Sequence, residues 1–218
     1  MAVARRPGKI LCVGRNYAAH AAELGHDVPA EPLIFFKPSS AVIGDGDPIV
    51  LPDWAGRIEH EGEIGVVIGR TARSVRTRDA WNHVAALVPL NDVTARELQK
   101  KDGQWARAKG FDGFCPIGSP VSAEDKDPRA LEVITRVNGQ IRQHGRASDM
   151  AFPIPYVVAW CSSFATLEEG DVIATGTPEG VGPLVPGDVV EVEIPGVGSI
   201  RNPVLAGNAP APELRPLG

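Results

Sequence analysis

The stretch Ile58 to Ile68, IEHEGEIGVVI, constrains the fold more than any other part of the chain. Its period-two alternation is that of a strand, with Glu59, Glu61 and Glu63 on one face and His60, Ile64, Val66 and Ile68 on the other. The sequel GVVIG keeps the strand apolar on both faces, which predicts a core strand whose acidic end opens into a cavity. A strand buried on both faces needs layers above and below it. The remainder of the chain supplies short strands for them, because 24 glycines and 20 prolines recur along the 218 residues and leave little room for long helices.

Lys9 to Val13 reads as a first strand, and Tyr17 to Leu24 (YAAHAAEL) as a short alanine-rich helix that Gly25 ends. LIFFK (33–37) and PIVLP (48–52) follow as short strands. Thr77 to His83 reads as helix, AALVPLND (85–92) as an apolar strand ending in Asp92, and Thr94 to Lys101 as a helix capped by Thr94, with Glu97 at the capping-box position. Asn138-Gly139 within VITRVNGQIRQHG predicts a hairpin, and Pro153 to Phe164 an amphipathic helix. The stretch from Gly170 to Val204 alternates strands with glycine turns. The expected class is strand-rich α+β, a mixed β-roll or distorted β-sandwich with short peripheral helices. One domain over residues 1–218 is expected, its core from about 9 to 204 and a frayed tail over 205–218.

Charge narrows the partners. Lys plus Arg number 22 against 27 Asp plus Glu, a net charge of −5, and the basic residues are scattered, which argues against nucleic acid. No stretch approaches the roughly 18 apolar residues of a membrane span, and MAVARRPGKILCVG lacks the central segment of a secretory signal. Cys12, Cys115 and Cys161 are far apart, without a CxxC pair and among apolar neighbours, so they read as buried small hydrophobes in a reducing, cytoplasmic setting.

Glu61 and Glu63, two apart on a strand, point the same way, and burying two carboxylates side by side calls for a cation or a proton. A solvated strand edge is the plainer alternative. Asp92, at the end of its strand, either projects into the same cavity or caps the helix that follows. Together the three carboxylates make a hard oxygen set suited to Mg²⁺ or Mn²⁺, with about three of six octahedral positions left for water or substrate. No Cys or His pair accompanies them, which disfavours Zn²⁺. His20 and Glu23, three apart on a helix, are placed for the carboxylate to orient an imidazole general base, although an ordinary exposed helix face has the same spacing. Lys37 and Lys109 are candidates to neutralise a tricarboxylate centre and a developing enolate, unless they are simply solvated. TGTPEGVG (175–182) offers backbone N–H groups that can hold a carboxylate, and no GK[ST] follows it, which excludes a Walker A loop.

GRNYAAHAAELG, IFFKPSSAVIGDGDPI, EHEGEIGVVIG, LNDVTARELQ, AKGFDGFCPIG and GDVIATGTPEGVG stand in this order from about Lys9 to about Val204. With these motifs the chain resembles the fumarylacetoacetate hydrolase family, in particular its short single-domain acylpyruvase, oxaloacetate decarboxylase and hydroxymuconate isomerase members. The resemblance implies a mixed β-roll, a homodimer, and Mg²⁺ or Mn²⁺ on Glu61, Glu63 and Asp92. It implies that His20 and Glu23 form a water-activating dyad on a lid, that Lys109 supports an oxyanion or enolate, and that Arg96, Gln99, Lys37 and Thr177 help hold a small 2-keto or enol acid. Glu59 has no role in the family pattern and is expected to be structural. The implied reaction is C–C hydrolysis of an acylpyruvate, with oxaloacetate decarboxylation, hydroxymuconate isomerisation, or ligand binding without catalysis as alternatives. Side-chain specificity is expected in the loops GHDVPAEP (25–32) and RASDMAF (146–152).

Overall fold

The computed structural model describes residues 6–208. Two sheets carry most of it. The first has six strands in the order Val121–Ser122, Val84–Asn91, Gly62–Ile68, Val172–Ala174, Ile10–Gly14 and Leu33–Lys37. The second has five, in the order Gln140–Arg146, Glu132–Val137, Val189–Ile194, Gly198–Ala206 and Ile49–Leu51. Both are mixed: Ile10–Gly14 runs parallel to Val172–Ala174, and Gly198–Ala206 parallel to Ile49–Leu51, among antiparallel neighbours. The architecture is the expected strand-rich α+β, and the helices are short and peripheral.

The sheets face each other across one core, in which Val66 and Leu87 of the first share a cluster with Val133, Val192 and Ile200 of the second. The Ile154–Phe164 helix closes this core with Ile154, Val157, Val158 and Cys161, all buried, while its Tyr156 and Phe164 are exposed. A second cluster, including Ile58, Val93, Phe114 and Val204, lies under a three-stranded sheet of Gly182–Pro183, Ile58–His60 and Thr94–Ala95. Removing such large apolar groups from water contributes about 1.5–3 kcal/mol each.

The predicted hairpin forms, with Asn138 at φ 53° and Gly139 at φ 79°, the left-handed pair that a tight two-residue turn requires. Two expectations fail. Thr94 does not cap a helix: Thr94–Ala95 is a short strand beside Ile58–Glu59, its hydroxyl donates to the Asp92 carbonyl, and the helix starts at Arg96 without a side-chain cap. Glu97, assigned to a capping box, instead accepts from the Arg57 N–H at 2.6 Å. The frayed tail does not begin at 205 either, since Leu205 and Ala206 pair with Val50 and Leu51, and Gly207 N–H donates to the Leu51 carbonyl. Residues 209–218 of that tail lie outside the described residues.

Candidate active site

The acidic stretch is cut in two. Glu61 stands between the Ile58–His60 and Gly62–Ile68 strands, which belong to different sheets. At the crossing its N–H donates to Asn91 Oδ1 at 2.9 Å and its carbonyl accepts from Asp92 N–H at 2.8 Å. Glycine is required next, because a Cβ on Gly62 would sit 1.9 Å from Thr135 Oγ1. Glu59, Glu61 and Glu63 therefore do not extend one strand face as the alternation predicts. Glu59 turns to Arg57 and Arg96, with both Nε contacts at 2.6 Å. Glu61 and Glu63 stay together, and Asp92 joins them from the end of the Val84–Asn91 strand.

One oxygen from each of Glu61, Glu63 and Asp92 lies within 4.8 Å of the others, and the three side chains are buried. Cations surround two of them. Lys109 Nζ reaches Glu61 Oε2 and Asp92 Oδ2, each at 2.6 Å, Lys37 Nζ reaches Asp92 Oδ1 at 2.6 Å, and Arg96 Nη2 reaches Glu61 Oε1 at 2.5 Å. Burial pushes the Glu61 carboxyl up, but Lys109 and Arg96 outweigh it and hold the group well below the usual carboxylate range. Burial likewise opposes the charge on Lys109, and Asp92 and Glu61 keep it protonated to higher pH than an ordinary lysine. Glu63 is different: its Oε2 accepts only the Gly176 N–H at 2.7 Å, and burial, then Asp92 and Glu61, push its carboxyl well above the usual range. Crowded negative charge with an uncompensated member is what a divalent cation relieves, and the donors are all hard oxygens. The residues thus fit Mg²⁺ or Mn²⁺.

A cavity of about 850 Å³ opens onto this centre and is lined by every predicted site residue except Lys37 and Glu23. Lys37 lies behind Asp92, and its ammonium also donates to the Val93 carbonyl at 3.2 Å. Glu23 flanks His20 on the Ala18–Glu23 helix, with Oε2 at 3.4 Å from His20 Nδ1, and both its oxygens accept from the Gly180 N–H at 3.1 and 3.2 Å. The glycine loop therefore does hold carboxylates through its amides, and they are the protein's own, Glu63 and Glu23. Gln99 is half-buried, and its Oε1 accepts from Arg96 Nη1 at 2.6 Å, which orients both side chains. Thr177 donates its hydroxyl proton to the Gly62 carbonyl at 2.9 Å and accepts from Gln143 Nε2 at 2.8 Å.

Two supporting residues escaped the sequence reading. Gln143 braces the Gly62 crossing, accepting from its N–H at 3.0 Å and facing His60 Nδ1 at 3.1 Å, while its amide donates to Thr177 and to the Pro178 carbonyl. Burial lowers the pKa of His60, which favours the neutral ring. Asn16 ties three segments together: its amide donates to the Thr175 carbonyl at 2.7 Å and the Phe152 carbonyl at 3.1 Å, and its Oδ1 accepts from Phe152 N–H at 2.8 Å. The three cysteines are buried as predicted.

The family model described as fumarylacetoacetate (FAA) hydrolase C-terminal matches residues 9–205. The chain belongs to the fumarylacetoacetate hydrolase family. Among curated relatives of this family, the mouse protein named oxaloacetate tautomerase FAHD1, mitochondrial, is 43% identical over 197 residues, 88% of this chain and 89% of its own. A Mycobacterium smegmatis structure described as 5-carboxymethyl-2-hydroxymuconate delta-isomerase superposes with TM-score 0.88 at 45% identity, covering 96% of this chain and 83% of that one. A Pseudomonas aeruginosa structure, described as fumarylpyruvate hydrolase in complex with Mn²⁺ and pyruvate, superposes with TM-score 0.87 at 32% identity, covering 92% and 91%. Fumarylacetoacetate hydrolase relatives of this chain thus carry hydrolase, isomerase and tautomerase names. Among the described residues, no helix is long and apolar enough to cross a membrane.

Proposed function

We propose that this chain hydrolyses a C–C bond in a small 2,4-diketo acid of the acylpyruvate type, releasing pyruvate and a carboxylic acid. The observation that carries the reading is the pairing of His20 with a Glu23 already docked on Gly180, at the wall of the cavity that Glu61, Glu63 and Asp92 floor. A Mg²⁺ or Mn²⁺ ion on those three carboxylates would supply charge for the substrate's 2-oxo and carboxylate oxygens and for the enolate formed on cleavage. Glu23 accepts a hydrogen bond from His20 Nδ1–H, which favours the tautomer whose Nε2 takes a proton from water. The hydroxide so formed adds to the distal carbonyl, and the C–C bond breaks with its electron pair passing to the pyruvate fragment. Lys109 stands by to stabilise the enolate, which takes back the proton held on His20 to give pyruvate and restore the neutral imidazole. Arg96, Gln99, Lys37 and Thr177 hold the substrate or the carboxylates that face it. The Mn²⁺ and pyruvate in the description of the Pseudomonas aeruginosa structure support this reading.

Oxaloacetate is the second reading, favoured by the name of the mouse relative. Tautomerisation or decarboxylation of oxaloacetate, like isomerisation of a hydroxymuconate, passes through an enol or enolate and needs no water nucleophile. Pyruvate release from acetylpyruvate, fumarylpyruvate and oxaloacetate, each with Mg²⁺ or Mn²⁺, with EDTA, and with Glu61→Ala, tests the proposal. EDTA-sensitive turnover of an acylpyruvate above oxaloacetate is expected. Action on oxaloacetate alone would replace it with the second reading, and silence on all three would point to isomerisation or to ligand binding without catalysis. A homodimer and a cytoplasmic setting, which suits three buried thiols, complete the proposal. Light scattering checks the dimer.

A further inference from the structure

The cations nearest the acidic centre each already pair with a carboxylate: Arg96 with Glu59 and Glu61, Lys109 with Glu61 and Asp92, and Lys37 with Asp92. Arg15 lines the same cavity, is half-buried, and its guanidinium makes no hydrogen bond or ion pair with any described residue. Its backbone is unusual too. Arg15 has φ 58°, the left-handed region that costs a side-chain-bearing residue free energy and persists only where its surroundings impose it. Here both neighbours impose it. A Cβ on Gly14 would lie 2.9 Å from the Trp105 ring, so that backbone is pressed against the cavity wall, and Asn16 is pinned to Phe152 and Thr175.

A partly desolvated guanidinium held in a ligand cavity, with no acceptor among the described residues, is set up to bind an anion through paired hydrogen bonds. The centre accounts for one end of a 2-oxo acid, through its carboxylate and 2-oxo oxygens. We infer that Arg15 binds a second carboxylate at the far end of the substrate, so that the site selects 2-oxo dicarboxylates over 2-oxo acids with an uncharged tail. This rests on the 2-oxo acid reading above. Lys100 and His26 also line the cavity, but both are exposed, so water competes for their hydrogen bonds.

Titration calorimetry of the Mn²⁺-loaded protein tests the inference with unreactive matched pairs, 2-oxoglutarate against 2-oxopentanoate and 2-oxoadipate against 2-oxohexanoate. The wild type is expected to bind at least one diacid about tenfold or more tighter than its partner. Arg15→Asn, chosen because asparagine tolerates a left-handed backbone, is expected to abolish that preference while leaving the monoacid affinity within about threefold. Arg15→Lys is expected to keep part of it. A preference absent from the wild type, retained in Arg15→Asn, or lost in Lys100→Gln instead, overturns the assignment to Arg15. Equal weakening of diacid and monoacid in Arg15→Asn overturns it as well, since that marks a structural role. Failure of the wild type to bind any of the four would sink the 2-oxo acid reading itself, and this inference with it.

Discussion

The floor and the rim of the cavity are built on opposite terms. The floor is strand-borne: Glu61, Glu63 and Asp92 sit at strand ends, none more than 4% exposed, and Lys37, Lys109 and Arg96 fasten the first and last of them. His20, itself only 4% exposed, stands on a part of the wall built differently, the six-residue Ala18–Glu23 helix at the rim, which has no side-chain cap and is too short to be stable alone. Glu23, with its side chain 35% exposed, docks it through a single amide of the glycine loop. Fixed charges must be placed once and held, since a buried carboxylate without its cation is costly. A group that must admit substrate and then meet water is better carried on something that moves at small cost.

Stability and turnover are accordingly expected to separate. Asp92→Ala attacks the floor hardest, because it strips Lys37 and Lys109 of a buried partner, and a loss of roughly 3–5 kcal/mol is expected. In a chain of this size that lowers the melting temperature by roughly 10 °C, with divalent-ion binding abolished in calorimetry. A drop of only a degree or two would mean that the floor is not held by its charges. His20→Ala, at the rim, should lower kcat by about 10²–10⁴-fold on a substrate that needs water, with Mn²⁺ affinity unmoved. Loss of metal binding there would erase the distinction between the two regions. Glu23→Gln keeps an oxygen for Gly180 and weakens only the hold on His20, so a fall of about tenfold in kcat is expected from steady-state kinetics.

The smallest effect expected is none. Burial pushes the Cys115 and Cys161 thiols up to about 12. The contribution of the neutral thiols is therefore fully present below the ordinary thiol pKa and is lost as pH rises from there through the folded value. Iodoacetamide at pH 8 should leave both unlabelled in the native protein and label them after denaturation. Labelling in the native state would show that opening at the rim reaches the core.

What could be read from the sequence was what local periodicity and turn chemistry decide. LIFFK forms a strand with the predicted bounds Leu33–Lys37, and Asn138-Gly139 makes its hairpin, because alternation and left-handed backbone preference act within a few residues. Thr94 was misread because its hydroxyl found the Asp92 carbonyl and its backbone found Ile58–Glu59, a pairing that no helix-start signal anticipates. The break at Glu61 had a visible sign in Gly62, a glycine inside an alternating strand. Gln143 had none. In a strand where Gln140, Ile141 and Arg142 are exposed, it reads as one more solvated residue, and only the bulge at Arg142 turns it inward. Asn16 is likewise a residue that local preference assigns to the helix start, and its real partners, Phe152 and Thr175, are more than a hundred positions away.

The hairpin carries an obligation that its place at the sheet edge conceals. Gln143 reaches Gly62 and Thr177 because the turn at Asn138-Gly139 and the bulge at Arg142 together bring it opposite Thr135. Gly180 fits against that bulge, since a Cβ there would lie 2.0 Å from the Arg142 carbonyl. Hairpin tips ordinarily tolerate insertions. Here one added residue between Asn138 and Arg142 would shift the frame of the strand, point Gln143 at solvent and unseat the loop on which Glu23 docks. The turn works as a ruler, and its length belongs to the active site although none of its atoms do.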